Sequence, residues 1–236
     1  MIKHVFVFEP AMNPIEADRY YFRFHSKEVV RSLGPWLRRY ETFRSLECPA
    51  DAARFGAVRG RLTELWYNNV DEWQEARPYG RPYTAPPGGW ESFFGTRVGV
   101  TMVPAMPTDD FLGKEPMPEE RPILRWYQVL RYPDGVTPED GEHWYLKTHA
   151  QEMKQQPGLL RFVSHRKLPN VPFRTPWHRV SELWYEDFAA WRAGINTAER
   201  CTRPPWGGQY PFVEMVSAFV GYKPEVDFLR DNPVIP

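Results

Sequence analysis

The chain has 236 residues, in which thirty basic side chains balance thirty acidic ones. That length suits one large domain or two of about 110 residues, and the neutral balance excludes an electrostatic footprint for nucleic acid or for an anionic membrane surface. The start, Met1 to Phe8, reads as a strand rather than a leader, and no run of eighteen apolar residues marks a membrane span, so a cytoplasmic protein is expected. Cys48 and Cys201 cannot between them frame a disulfide scaffold or a four-ligand zinc site.

In chain order, His4-Val5-Phe6-Val7-Phe8 is β-branched and aromatic, which predicts a first strand with His4, Phe6 and Phe8 on one face. From Pro14 to Leu33 the period becomes helical, with Tyr21, Phe22, His25, Val29 and Leu33 on one stripe, and Gly34-Pro35 stops it. Strands follow at 36–46 and 61–67, then a short helix at 71–76, a Pro/Gly-rich loop at 78–89 and a fourth strand at 96–103. The plan then recurs: strand 124–130, helix 138–156 with Tyr145, Leu146, His149 and Met153 on its stripe, strands 160–168 and 177–185, helix 188–193 and strand 212–221. Residues 106–122 form a linker, and the tail from Pro224 is expected to run over the surface as an irregular arm.

The recurrence is visible letter by letter. Glu64-Leu65-Trp66-Tyr67 returns as Glu182-Leu183-Trp184-Tyr185, Trp73 returns as Trp191, and Pro86-Pro87 as Pro204-Pro205, all 118 residues further on. His25 with Gly34 matches His149 with Gly158 at an offset of 124. Solenoid units repeat at roughly 20 to 50 residues, so a repeat this long is a duplicated domain. The expected units are 1–112 and 113–236, each β-α-β-β-α-β: a four-stranded antiparallel sheet with both helices on one face. The bare apolar face needs cover, and packing sheet against sheet supplies it.

The runs Trp144-Tyr145-Leu146-Lys147-Thr148-His149, Pro157-Gly158-Leu159-Leu160-Arg161-Phe162 and Glu182-Leu183-Trp184-Tyr185, with their counterparts Tyr20 to His25, Gly34 to Tyr40 and Glu64 to Tyr67, carry a resemblance. The chain resembles the EthD-type branch of the dimeric α+β barrel superfamily, here as two ferredoxin-like units in tandem. The resemblance implies an α+β fold in which the two units pack as a pseudo-dimeric barrel. It also implies that the ligand pocket lies between helix and sheet, where a helix imidazole can shuttle protons. Polyketide cyclases, lactone isomerases, cofactor-free monooxygenases and haem enzymes share this fold, so the fold alone does not select the reaction.

On that basis the candidate catalytic residues are His25, His149 and His4. An imidazole titrates near neutrality and suits general acid–base work; the plain alternative for each helix histidine is a core ring bonded to a backbone carbonyl. The first strand is similar to that of plant cyclases of this superfamily, in which the strand histidine lines the pocket. Unit two has no histidine on its first strand, so the first unit is expected to be the better catalyst. Two imidazoles in one apolar pocket are expected to split their pKa values into one acid and one base. Tyr21, Phe6, Phe8 and Tyr145 are candidate substrate contacts, and Arg61 and Arg179 could hold a carboxylate or phenolate, the plain alternative for both arginines being a solvated strand end. Alternation turns Glu64 and Glu182 towards the seam between sheets, as paired structural carboxylates. His-Glu-x-x-His and Gly-rich phosphate loops are lacking, so neither a metal nor a nucleotide cofactor is expected. The function expected is cofactor-independent acid–base chemistry on an aromatic or polyketide-like molecule, of lyase, cyclase, isomerase or decarboxylase type. The alternatives are a binding or accessory protein for such a compound, or a haem-binding protein. The expected partner is a small aromatic molecule, with a homodimer compatible and no role for nucleic acid or membrane.

Overall fold

The structure, a computed structural model, describes residues 1–77, 83–198 and 200–231. The first half runs β1 (Ile2–Phe8), α1 (Pro14–Tyr20), a π turn (Tyr21–His25), α2 (Ser26–Leu33), β2 (Arg39–Arg44), a 3-10 turn (Ala50–Phe55), β3 (Arg61–Tyr67), α3 (Val70–Ala76), α4 (Gly89–Phe94), β4 (Val98–Pro104) and β5 (Asp109–Leu112). The second runs β6 (Leu124–Arg131), α5 (Pro138–Trp144), a π turn (Tyr145–His149), α6 (Ala150–Met153), β7 (Leu159–Arg166), β8 (Arg179–Tyr185), α7 (Phe188–Ala198), β9 (Glu214–Gly221) and β10 (Val226–Asp227).

Both long helices form for the same local reasons. Asn13 and Thr137 accept the N–H groups of Ile15 and Asp140, and Pro14 and Pro138 occupy a first-turn position where a missing N–H costs nothing. Each helix then widens through one π turn, closed by Ser26 N–H to the Tyr21 carbonyl and by Ala150 N–H to the Tyr145 carbonyl. Such turns recur at functional sites because they re-aim a side chain. Each of these ends on a histidine, His25 or His149.

The strands form two antiparallel five-stranded sheets, ordered β10-β2-β3-β1-β4 and β5-β7-β8-β6-β9. Their bare faces meet through Val5, Val7 and Leu62 on one side and Tyr127, Val129, Val180 and Ala218 on the other. The sheets approach so closely that a Cβ on Gly99 would lie 2.9 Å from that of Val129. Backbone bonds link the units as well, from Leu46 N–H to the Phe219 carbonyl (2.7 Å) and from Val58 N–H to the Ser217 carbonyl (2.8 Å). This is the pseudo-dimeric α+β barrel that the duplication implies.

The edges differ from expectation. β5, which lies before residue 113, pairs with β7 of the second sheet, and β10 of the C-terminal tail pairs with β2 of the first. The two units thus exchange arms, and a cut after residue 112 separates β5 from its own sheet. Edge strands expose unpaired N–H and C=O groups, and each arm covers one. The tail from Pro224 is therefore no irregular surface arm: Phe228 is buried against the rings of Tyr21, Phe22 and Tyr40. The loop expected at 78–89 ends in α4, a helix the composition concealed, and its residues 78–82 lie outside the described residues. Among the described residues, no helix is long and apolar enough to cross a membrane.

Candidate functional site

Between the helices and sheet of the first unit lies a cavity of about 670 Å³. Strand alternation in β1 turns His4, Phe6 and Phe8 away from the seam and into it, and the π turn brings Tyr21 and His25 to its wall. Trp73 and Arg77 at the end of α3, with Trp90, Phe93 and Phe94 of α4, close the other sides.

His4 is held by a neighbour that can only donate. The Trp73 indole N–H reaches His4 Nδ1 at 3.1 Å, and since an indole has no acceptor, Nδ1 carries the lone pair and Nε2 the proton. That Nε2–H is buried without a partner. Burial pushes the His4 pKa down to about 3. His25 stands among the rings of Tyr20, Tyr21, Tyr83, Trp90 and Phe93, with centroids 5.5 to 6.1 Å away. Its Nδ1 is likewise buried and unpartnered. Burial lowers its pKa to about 4, against a smaller upward pull from Glu28. The Glu28 carboxylate is itself engaged, accepting Thr84 N–H at 2.9 Å and the Thr84 hydroxyl. The expected split into one acid and one base is therefore not what the surroundings of the two rings set up. Burial acts on both rings in the same direction, and both are neutral at pH 7. A row of hydroxyls completes the lining: Tyr40 donates to the Tyr21 hydroxyl at 3.1 Å, and the latter lies 3.0 Å from the Thr63 hydroxyl.

In the second unit the corresponding space is filled. Trp126 faces Leu183 in the register in which His4 faces Leu65. Its ring stacks on Phe219 at 5.7 Å and meets Trp191 edge-on at 5.7 Å. Phe55, from the 3-10 turn of the first half, packs on both tryptophans at 5.3 and 6.0 Å. His149 is 5% exposed, wedged against Trp144 and Tyr145 with centroids at 4.9 and 5.3 Å. Tyr145 is also buried, its hydroxyl bonded to Ser181 at 2.7 Å. Of the residues singled out from sequence, the structure thus gathers His4, His25, Phe6, Phe8 and Tyr21 around one cavity and places His149 and Tyr145 in a packed core.

Arg61 and Arg179 do not reach the cavity. Arg61 pairs with Asp18 at 2.6 Å and Glu225 at 2.7 Å, and Arg179 with Glu142 and Asp109, both at 2.8 Å. Each guanidinium also lies over a tyrosine ring, Tyr21 at 4.8 Å and Tyr145 at 4.5 Å. These arginines fasten helix, sheet edge and exchanged arm together: they are neither solvated strand ends nor open to a ligand's carboxylate or phenolate, because the carboxylates they meet are the protein's own. Glu64 and Glu182 face the seam as alternation requires. Lys3 lies 3.2 and 3.5 Å from them, Arg125 pairs with Glu182 at 2.7 Å, and the Tyr127 hydroxyl donates to Glu64 at 2.9 Å. Several residues of the site were not legible in the sequence, among them Tyr40, Arg77 and the α4 aromatics Trp90, Phe93 and Phe94. The Trp73–Trp191 repeat was visible, but nothing in it said that Trp73 holds a histidine.

The family described as chalcone isomerase N-terminal domain matches residues 10–80, the stretch that carries His25, Tyr21, Tyr40, Thr63 and Trp73. No curated protein sequence matches the chain. Among solved structures, an anthrone oxidase-like protein is similar at 11% identity and a TM-score of 0.51, over 93% of this chain and 90% of that one. A chlorite dismutase from Candidatus Nitrospira defluvii is 7% identical over 94% and 90% of the two chains, with a TM-score of 0.44. A putative monooxygenase from Lactobacillus acidophilus NCFM is 11% identical over 96% and 98%, with a TM-score of 0.36. At these identities the likeness is one of fold: this chain and the anthrone oxidase-like protein share the dimeric α+β barrel architecture.

Proposed function

We propose that the chain is an enzyme of isomerase, cyclase or lyase type that moves a proton on a flat aromatic or polyketide-like molecule without a cofactor. The observation that carries this reading is the aromatic cavity of the first unit, bordered by two neutral histidines, beside a second unit in which the same space is packed shut. The match of residues 10–80 to a domain named for chalcone isomerase supports it, as do the EthD-like motifs of both halves. A cavity walled by aromatic faces favours a flat, largely apolar ligand.

His25 takes a proton from the bound molecule, and the weak basicity that burial gives it is not prohibitive. An oxyanion forming beside the new imidazolium stabilises it by opposite charge. His4, held as the Nε2–H tautomer by Trp73, donates to the oxygen that gathers charge, the role of a fixed oxyanion donor. His25 then returns the proton to a different atom of the same molecule, so none is consumed. The Tyr40–Tyr21–Thr63 hydroxyls supply further donors for a second oxygen.

The buried, partnerless Nε2 of His4 also suits a protein that only holds such a compound. Incubation with a hydroxylated chalcone and an aromatic 1,3-diketone in D2O, after exhaustive dialysis against chelator, separates the two. Turnover or solvent-deuteron incorporation at about 10² or more times the buffer rate is expected. Binding without exchange supports the carrier, and exchange that requires restoration of one metal contradicts the cofactor-free reading.

A further inference from the structure

Corresponding positions of the open and the filled unit differ at three sites that are polar in the open one. His4 stands where Trp126 stands, Tyr40 where Phe162 stands, since each faces the leucine of its Glu-Leu-Trp-Tyr motif, and Arg77 where Ile195 stands, four residues beyond Trp73 and Trp191. Where the space is filled, the position holds a hydrocarbon side chain or an indole; where it is open, it holds a group that bonds to something. His4 and Tyr40 can be assigned to the reacting end of a ligand on the reading above. Arg77 cannot, because it is exposed and borders the cavity at its rim.

Among the described residues, Arg77 is the one charged side chain that borders the cavity. Its guanidinium lies 5.8 Å above the ring of Trp73, the residue that holds His4, so it is oriented from the cavity wall. Among the described residues no carboxylate pairs with it, in contrast to Arg61 and Arg179. A solvated guanidinium beside an apolar cavity offers a planar set of donors matched to a carboxylate.

We propose that Arg77 makes the site selective for an aromatic acid, whose ring system fills the cavity while its carboxylate remains at the rim against this guanidinium. This rests on the reading of the cavity as a site for a flat aromatic molecule and adds the charge of that molecule. It also gives the molecule a direction, with its acidic end towards solvent and its reacting portion beside His25.

The test is equilibrium binding of two probes matched in ring system, 2-naphthoate and its methyl ester, followed by quenching of tryptophan fluorescence. The wild-type protein is expected to bind the acid at least about fivefold more tightly than the ester, with the difference shrinking as salt is raised. In Arg77→Gln the preference should vanish while ester binding stays the same; Arg77→Lys should retain part of it. Equal binding of acid and ester by the wild type, or an acid preference that survives Arg77→Gln, overturns the role of Arg77 while leaving the cavity reading in place. Failure of both probes to bind overturns both. Because Arg77 is exposed, unchanged melting temperatures are expected for both variants, and the ester serves as the internal control for an intact cavity.

Discussion

Replacement of His25 by Gln is expected to lower turnover by about 10² to 10⁴, the usual worth of a positioned proton-transfer group, with the melting temperature nearly unchanged. Glutamine retains much of the volume and the hydrogen-bonding capacity of the ring but cannot cycle a proton. In His149→Gln the rate should stay within about twofold of wild type, while stability falls, since that ring is buried and packed against Trp144 and Tyr145. The assay is the deuterium exchange described above, run on both variants. Loss of activity in His149→Gln with activity retained in His25→Gln would place the chemistry in the second unit. Unchanged turnover in both, with both melting temperatures lowered, would make each histidine a core residue only.

Acid is expected to destabilise the fold from about pH 6.5 downward, through its buried histidines. His4, His25 and His149 have folded pKa values of about 3, 4 and 4, in each case through burial, against about 6.5 in the unfolded chain. Each folded value lies below the unfolded one, so between them the unfolded state binds more protons and stability falls as pH falls. The contribution of these rings is complete above pH 6.5 and is lost progressively below it. At pH 5 each has lost roughly 2 kcal/mol, about 6 kcal/mol in all, against a typical net stability of about 5 to 15 kcal/mol. Glu182, whose carboxyl is held well below the usual carboxylate range by Arg125 and Lys3 despite its burial, acts in a separate window, below the ordinary carboxylate pKa near 4.5. Urea unfolding at pH 7, 6 and 5 should show the midpoint falling steadily, and His149→Phe should remove about a third of the slope. A midpoint independent of pH over this range would mean that these rings are solvated.

The fold was largely legible because its two signals are periodic and repeated. Alternation in 61–67 placed Leu65 beneath the helices and Glu64 in the seam, and the structure has both there. The exchanged arms were not legible, since a strand as short as Val226–Asp227 has no period to detect and owes its existence to an edge made by residues far away in sequence. Nor was α4, because Pro86-Pro87-Gly88-Gly89 signals a loop and the helix begins on its last glycine. In the candidate site, the histidines could be picked out by type and position. Their environment could not: whether a ring borders a cavity depends on whether position 126 or position 4 carries the larger side chain, and on Phe55 reaching across from the other half. The ion pairs of the two arginines were hidden for a related reason, since their partners Glu225 and Asp109 arrive on the exchanged arms.

The most direct test of a single working cavity is the ring 15N NMR spectrum of the histidines with and without 2-naphthoate, assigned through His4→Phe, His25→Gln and His149→Gln. In the free protein all three rings should be neutral at pH 6, with His4 in the Nε2–H form that the Trp73 indole imposes. On adding the probe the His25 and His4 signals should move together and saturate at one concentration, while those of His149 stay in place. Movement of the His149 signals with His4 and His25 unmoved would contradict the account.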